Sequence, residues 1–251
     1  MRHPFRSVAA AAALTVILAA CGGDDESATL TVCSDIPYPP FEFEDAASEL
    51  GYSGFDIELI AAIGEQLDRP VEIVVTGFDA LTSGTAMAAG TCELAISAMT
   101  ITPERAEQID FSDAYYEADQ SLLVPNGSSI ASIADLVAGV TVGVQTGTTG
   151  ESYANENVPG AEIRSFESGG DLLTALAAGQ IDAVLQDLPV NVEEAGKGLT
   201  TVVETYPTGE FYGIAFEKGS ELVGPVNEAL ATLQSDGTYD ALFTKYFPTG
   251  S

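Results

Sequence analysis

AAGTCELAIS, Ala88 to Ser97, decides the fold, because the chain carries a second version of it as AAGQIDAVLQ, Ala177 to Gln186. Each copy follows a helical stretch that begins with Asp and Leu: Asp79 and Leu81 in the first, Asp171 and Leu172 in the second. Helix, glycine stop, acidic residue and apolar strand make one α/β unit, so two copies predict two similar α/β lobes. That joint is common in α/β proteins, and chance similarity is the competing explanation. The alignment also sets Cys92 opposite Ile181, where it reads as a small buried hydrophobe.

Working outward, strand and helix alternate along the chain, the pattern of a mainly parallel sheet. Strands are expected at 30–34, 71–75, 94–98, 121–124, 141–144, 163–166, 183–186, 201–203 and 212–216. The clearest helices are 54–67, with Phe55, Leu59, Ile60 and Ile63 on one face, 78–89, 171–178 capped by Ser168, 222–234 and 238–246. Ligands in open α/β sheets sit beyond the carboxyl ends of strands, which singles out Asp35, Ser97, Thr100, Gln145 and Asp187.

The N-terminus predicts the compartment. Arg2, His3 and Arg6 precede an apolar run from Val8 to Ala20 that is short for a membrane span and suits a secretory signal. The run ends in Leu18-Ala19-Ala20-Cys21, which resembles a bacterial lipobox, with a cysteine that is acylated and becomes the new N-terminus. Residues 1–20 are then a signal peptide and 21–28 a lipidated polar tether, so the expected location is extracytoplasmic, anchored to the cell membrane through Cys21.

Eight basic residues against 38 acidic ones give a formal net charge of -30, and the signal peptide removes two of the eight. Such acidity disfavours nucleic acid and anionic bilayer surfaces. Hydrophobic residues make up 46% of the chain, enough for one large or two modest cores. Cys33 and Cys92 fall near the end of one strand and just before another. Parallel neighbours hold such positions several residues apart, so no disulfide is expected between them. There is no CxxC and only His3, within the signal, so neither metal nor cofactor is expected.

In so acidic a chain, ISAMTITPERAEQIDFS, Ile96 to Ser112, places Arg105 in a first helical turn just past an apolar strand. With Thr102 as N-cap and Pro103 at N1, backbone N–H groups and a rigid guanidinium fork converge on a carboxylate site. The commoner fate of a lone arginine is a surface pair, here with Glu104 or Asp113. Pro37, Pro39 and Pro40 stiffen a loop that presents Tyr38 and Phe41 beside Asp35. Asp187 either faces a ligand or caps the helix that Leu188-Pro189 begins. GVQTGTTG, Gly143 to Gly150, joins a strand to a helix N-terminus able to receive an anion, and lacks the GK[ST] of a phosphate loop.

SDIPYPPFEFED, GYSGFDIELIAAIGEQL, GFDAL, ISAMTITPERAEQIDFSDAYY, VGVQTGTTG, AVLQDLP, YGIAFEKGS and NEALATLQSDGTYDALFTKYF, in this order over about residues 29 to 247, resemble the family 3 extracellular solute-binding proteins that deliver polar amino acids to ABC importers. The resemblance implies a monomeric, two-lobed periplasmic-binding-protein type II fold: two mixed sheets with flanking helices, joined by two crossover strands near Glu117 to Ser121 and Thr208 to Gly213. Residues 29–117 with 213–251 form the first lobe and 118–212 the second. It further implies a ligand α-carboxylate on Arg105, Thr100 and the Thr149 backbone, and an α-ammonium on Asp187 with the Ser97 region. Tyr38 and Phe78 sandwich the ligand side chain, and Asp35 and Gln145 meet its polar end. Ala98 stands where several relatives have a second serine, and Gln145 replaces the lysine of the glutamine receptor. No catalytic residue is expected, although the fold is shared with cyclohexadienyl dehydratases and ligand-sensing surface receptors.

Overall fold

A computed structural model describes residues 29–248. The expected signal peptide, Cys21 and the tether lie outside the described residues.

In chain order the elements are β1 (Leu30–Ser34), β2 (Phe43–Glu44), β3 (Tyr52–Ser53), α1 (Phe55–Gln66), β4 (Val71–Val75), α2 (Phe78–Thr82), α3 (Thr85–Ala88), β5 (Leu94–Ala95), α4 (Pro103–Ala106), β6 (Ile109–Phe111) and β7 (Tyr116–Pro125). They continue with β8 (Thr141–Gln145), α5 (Thr149–Asn157), β9 (Glu162–Phe166), α6 (Gly169–Ala177), β10 (Ala183–Asp187), α7 (Leu188–Gly196), β11 (Thr200–Tyr212), β12 (Ala215–Glu217), α8 (Val223–Asp236) and α9 (Thr238–Tyr246).

Two mixed five-stranded sheets result, ordered β4-β1-β5-β12-β6 and β11-β7-β10-β8-β9. The chain enters the second sheet through β7 and returns through β11, two long strands that pair antiparallel from Tyr116↔Tyr212 to Pro125↔Thr200. This is the two-lobed type II architecture with two crossover strands. In the first sheet β1 runs parallel to β4 and β5, while β12, arriving from the far end of the chain, adds antiparallel to β5.

The α1 stripe behaves as its spacing requires: Phe55, Leu59, Ile60 and Ile63 are fully buried and pack with Leu30, Val32 and Leu94 of the sheet. A separate core beneath the second sheet joins Val142, Val144, Leu122 and Leu185 to Ala154 of α5. Burial of each such side chain contributes about 1.5 to 3 kcal/mol. Gly54 ends the loop before α1 at φ 130, and a Cβ there would meet the Phe41 carbonyl oxygen at 2.0 Å, so only glycine fits.

Four local expectations are corrected. The strand expected at 212–216 is split, with Tyr212 closing β11 and β12 beginning at Ala215. The helix expected at 78–89 is broken into α2 and α3, because Gly84 sits at φ 74, where an added Cβ would also meet Ile109 Cγ2 at 2.8 Å. The strand expected at 94–98 stops at Ala95, and Ala98 turns into the left-handed region at φ 42. Cys33 and Cys92 form a disulfide, with Cα atoms 5.7 Å apart. The parallel register does match Cys33 with Ala95. However, the chain bends at Thr91 and Glu93, so Cys92 is not extended upstream of β5 but folded back over Cys33 among Met87, Leu81 and Ala95.

Candidate ligand-binding cleft

The ends of β1, β5, β8 and β10 face one another across the space between the sheets, and there the structure leaves a small cavity of about 20 Å³. Asp35, Tyr38, Phe78, Ser97, Ala98, Thr100, Arg105, Gln145, Thr149 and Asp187 all line it, together with Thr148. Every ligand-binding candidate drawn from the sequence is thus brought to one place.

Arg105 is held by local chemistry. Thr102 caps α4 by accepting from the Arg105 N–H at 3.2 Å, and Pro103 opens the helix. The side chain, 9% exposed, turns inward. Its Nη1 donates to the Thr100 carbonyl at 2.8 Å and Nη2 to the Gly147 carbonyl at 2.9 Å, rather than reaching Glu104 or Asp113. The Phe78 ring lies 5.2 Å from the guanidinium carbon, a cation–π contact. Burial lowers the Arg105 pKa to about 10 despite the opposing pull of Asp187 and Glu210, so the group stays charged at neutral pH.

Asp187 ends β10, and its side chain does not cap α7. It points into the cleft instead: Oδ2 accepts from Tyr212 at 2.6 Å and Tyr38 at 2.9 Å, and Oδ1 from Gln120 at 2.6 Å. Burial pushes its pKa up to about 6, against the lowering effect of the Tyr212 bond. Asp35 accepts from Gln145 Nε2 at 2.6 Å, while its own N–H donates to Ser97 Oγ at 3.0 Å. Burial raises Asp35 likewise to about 6, with the Gln145 bond working the other way.

Thr148 caps α5 by accepting from the Glu151 N–H at 3.1 Å. That geometry presents the helix N-terminus, including Thr149, to the Arg105 side of the cavity. Hydrogen bonds cross the cleft at four places: Arg105 to Gly147, Gln145 to Asp35, Tyr38 to Asp187 and, at 3.5 Å, between the Thr100 and Thr149 hydroxyls.

Sequence reasoning missed the support beneath these groups. Gln120 on β7 and Tyr212 on β11 hold Asp187 from the crossover strands. Glu42 and Asp56, both fully buried, accept from Ser97 Oγ at 2.6 Å and the Ala98 N–H at 2.7 Å. Among the described residues no group of three or more His, Cys, Asp or Glu is placed to hold a metal ion, and no helix is long and apolar enough to cross a membrane.

Two α/β lobes on paired crossover strands, with buried groups of opposite charge converging on one enclosed cleft, define a hinged solute-binding protein. The chain belongs to the bacterial extracellular solute-binding proteins, family 3, whose family pattern matches residues 30–249. It is 34% identical over 231 residues to the lysine/arginine/ornithine-binding periplasmic protein of Escherichia coli K12, covering 87% of each chain. Among solved structures it resembles an ancestral arginine-binding protein bound to glutamine, with TM-score 0.80, 38% identity and coverage of 87% of this chain and 97% of that one. It equally resembles an ancestral amino acid-binding protein described as a precursor of cyclohexadienyl dehydratase, with TM-score 0.80, 40% identity and coverage of 87% and 95%.

Proposed function

We propose that the protein captures a polar amino acid outside the cytoplasm by closing its cleft and delivers it to an ABC importer. The observation that carries this reading is the pair of buried opposite charges: Arg105, on the α4 side of the cleft, and Asp187, at the end of β10 on the other. One fork for a carboxylate and one acceptor for an ammonium match the two ends of a zwitterion. The names of its relatives agree, since they bind lysine, arginine, ornithine or, in the ancestral structure, glutamine.

In this reading the ligand α-carboxylate lies on Arg105, assisted by Thr100 and the Thr149 N–H at the head of α5. The α-ammonium lies on Asp187 near Ser97 and Ala98. Tyr38 and Phe78 flank the side chain, and Asp35 with Gln145 receives its polar end. Residues 29–117 with 213–251 act as one lobe and 118–212 as the other, hinged on β7 and β11. Only the closed arrangement satisfies both charges of the guest, so the ligand favours closure by its differential contacts. The protein works as a monomer, tethered through lipidated Cys21. Mass spectrometry of the mature protein tests the tether, and an unmodified Cys21 or cleavage elsewhere removes it.

A thermal-shift screen against the twenty amino acids, ornithine and citrulline tests the main reading. A ligand at about 100 times its Kd adds about 2.7 kcal/mol to apparent stability. No response from any of them would overturn the proposal. Although the neighbour described as a precursor of cyclohexadienyl dehydratase is itself an amino acid-binding protein, the alternative is an enzyme of that kind on the same fold. Incubation with prephenate or arogenate tests it, and the binding reading expects no turnover.

A further inference from the structure

Two carboxyl groups in this molecule are fully buried yet do not line the cleft. Glu42 lies in the loop after Tyr38, and Asp56 in the first turn of α1. Neither has an ion-pair partner within 4.0 Å among the described residues. Each uses one oxygen on a neighbouring segment: Glu42 Oε1 accepts from Ser97 Oγ at 2.6 Å, and Asp56 Oδ2 accepts from the Ala98 N–H at 2.7 Å and the Tyr115 hydroxyl at 2.8 Å. The other oxygen of each, Glu42 Oε2 and Asp56 Oδ1, has no hydrogen-bond partner. Burying two acids costs several kcal/mol unless something else compensates, so their placement calls for a physical reason.

The reason lies in what they grip. Ser97 and Ala98 are successive residues where β5 ends and the chain turns toward Arg105. Ala98 adopts φ 42, a left-handed conformation uncommon for alanine. Ser97 Oγ, which donates to Glu42, also accepts from the Asp35 N–H at 3.0 Å. A single relay thus runs from Asp35 through Ser97 to Glu42, with Asp56 clamping the next residue along.

We propose that Glu42 and Asp56 are positioning residues for the cleft: from beneath it they lock the Ser97–Ala98 turn, and through Ser97 the Asp35 backbone, in the geometry that meets the ligand. The assignment rests on the reading of the cleft as an amino-acid site, although the clamp itself is a feature of the protein alone. Local strain at Ala98 then persists because the two acids over-determine it.

The pair also keeps a proton. Burial raises Glu42 well above the ordinary carboxylate range, and Asp56, Asp35 and Asp187 push the same way against the lowering bond from Ser97. Burial raises Asp56 to about 7, opposed by its bonds from Ala98 and Tyr115. The groups facing the pair are therefore acids and the phenols of Tyr38, Tyr115, Tyr116 and Tyr239, none of them cationic. Near neutral pH at least one of the two carboxyls is neutral, and full ionisation above neutrality loosens the clamp.

Four variants test this: Glu42→Ala, Glu42→Gln, Asp56→Ala and Asp56→Asn. Two readouts are used on the mature full-length protein: calorimetry with the best amino acid from the thermal-shift screen, and amide hydrogen exchange of residues 96–100 without added ligand. The amide variants keep an acceptor oxygen for Ser97 or Ala98. They are expected to bind within about threefold of the unmutated protein and to keep the exchange protection of Ala98, whereas the alanine variants bind at least about tenfold more weakly and lose it. As pH rises through about 7, where burial places Asp56, the unmutated protein weakens more than Asp56→Asn, which has no carboxyl at that position to ionise. Alanine variants that bind and exchange normally would overturn the proposal, as would amide variants as impaired as the alanine ones. If an alanine variant does not fold, the Asp56→Asn pH comparison decides: parallel pH profiles refute the clamp. If the unmutated protein binds no amino acid, the functional reading fails while hydrogen exchange still judges the clamp.

Discussion

Asp187 turns the proposed ligand site into a pH-dependent one, and the direction can be worked out. Its carboxyl is raised from 3.8 to about 6 by burial. A folded value above the unfolded one means that the native protein holds the extra proton between those limits. Its contribution to stability is therefore greatest below about pH 4 and fades as pH rises through about 6, a span of two units or roughly 3 kcal/mol. Ligand affinity runs the opposite way, because an ammonium seated on Asp187 needs the carboxylate and expels the proton. At about pH 5 some nine-tenths of Asp187 is protonated, so a neutral-side-chain amino acid should bind about tenfold more weakly than at about pH 7. An amino acid with a cationic side chain on Asp35, also raised to about 6, meets the same requirement twice and should lose closer to a hundredfold. Calorimetry in two buffers of different ionisation enthalpy measures both the affinity and the proton released. Asp187→Asn should bind weakly at every pH and lose the slope. A Kd that stays constant between about pH 5 and 7, or tightens on acidification, would refute the assignment of the ammonium to Asp187.

Arg105→Ala should weaken amino-acid binding by about 2 to 5 kcal/mol in calorimetry, and unchanged binding would remove the carboxylate fork. Replacing Cys33 and Cys92 with serine opens a link of sequence separation 59, for which chain entropy gives a loss of about 4 kcal/mol in urea unfolding; an unchanged midpoint would show that the link contributes nothing. Gly54→Ala should cost about 2 to 4 kcal/mol in the same assay, since the added Cβ meets backbone atoms of Phe41 that cannot rotate aside.

The parts of the fold that were legible in the sequence are those governed by local pattern. β1 and β4 have the expected ends because their apolar runs are flanked by polar or proline residues, and Ser168 caps α6 as its spacing requires. Asp35, Ser97, Thr100, Gln145 and Asp187 were found because strand ends in α/β sheets are where ligands sit, whereas Phe78 and Ala98 came only from the family resemblance. What escaped depends on partners distant in sequence. β6 forms because β12 lies beside it, 104 or more residues later at every paired position, and nothing in IDF alone announces a strand. Glu42, between two phenylalanines, reads as the exposed face of an alternating strand, and Asp56 as a first-turn acid suiting the helix dipole. Both are instead buried under Ser97 and Ala98. Cys92 needed knowledge of the bend before β5, which no strand periodicity encodes.

Closure itself depends on a difference between two sets of bonds. Within the protein, Tyr38 bridges to Asp187, Gln145 to Asp35 and Arg105 to the Gly147 carbonyl across the cleft. Each contributes about 0.5 to 3 kcal/mol, the larger figures where a charge is involved. An amino acid entering the cavity exchanges some of these links for charge-assisted ones at Arg105 and Asp187, and only the surplus tilts the equilibrium between open and closed forms. Affinity and closure are therefore separable. A substitution such as Gln145→Leu removes a lobe-to-lobe bond made by the protein alone and shifts the population of closed molecules, whereas Arg105→Ala also removes the contact through which the guest stabilises closure. Small-angle scattering with and without ligand distinguishes the two, since Gln145→Leu should still compact when its ligand is saturating and Arg105→Ala should not at the same concentration.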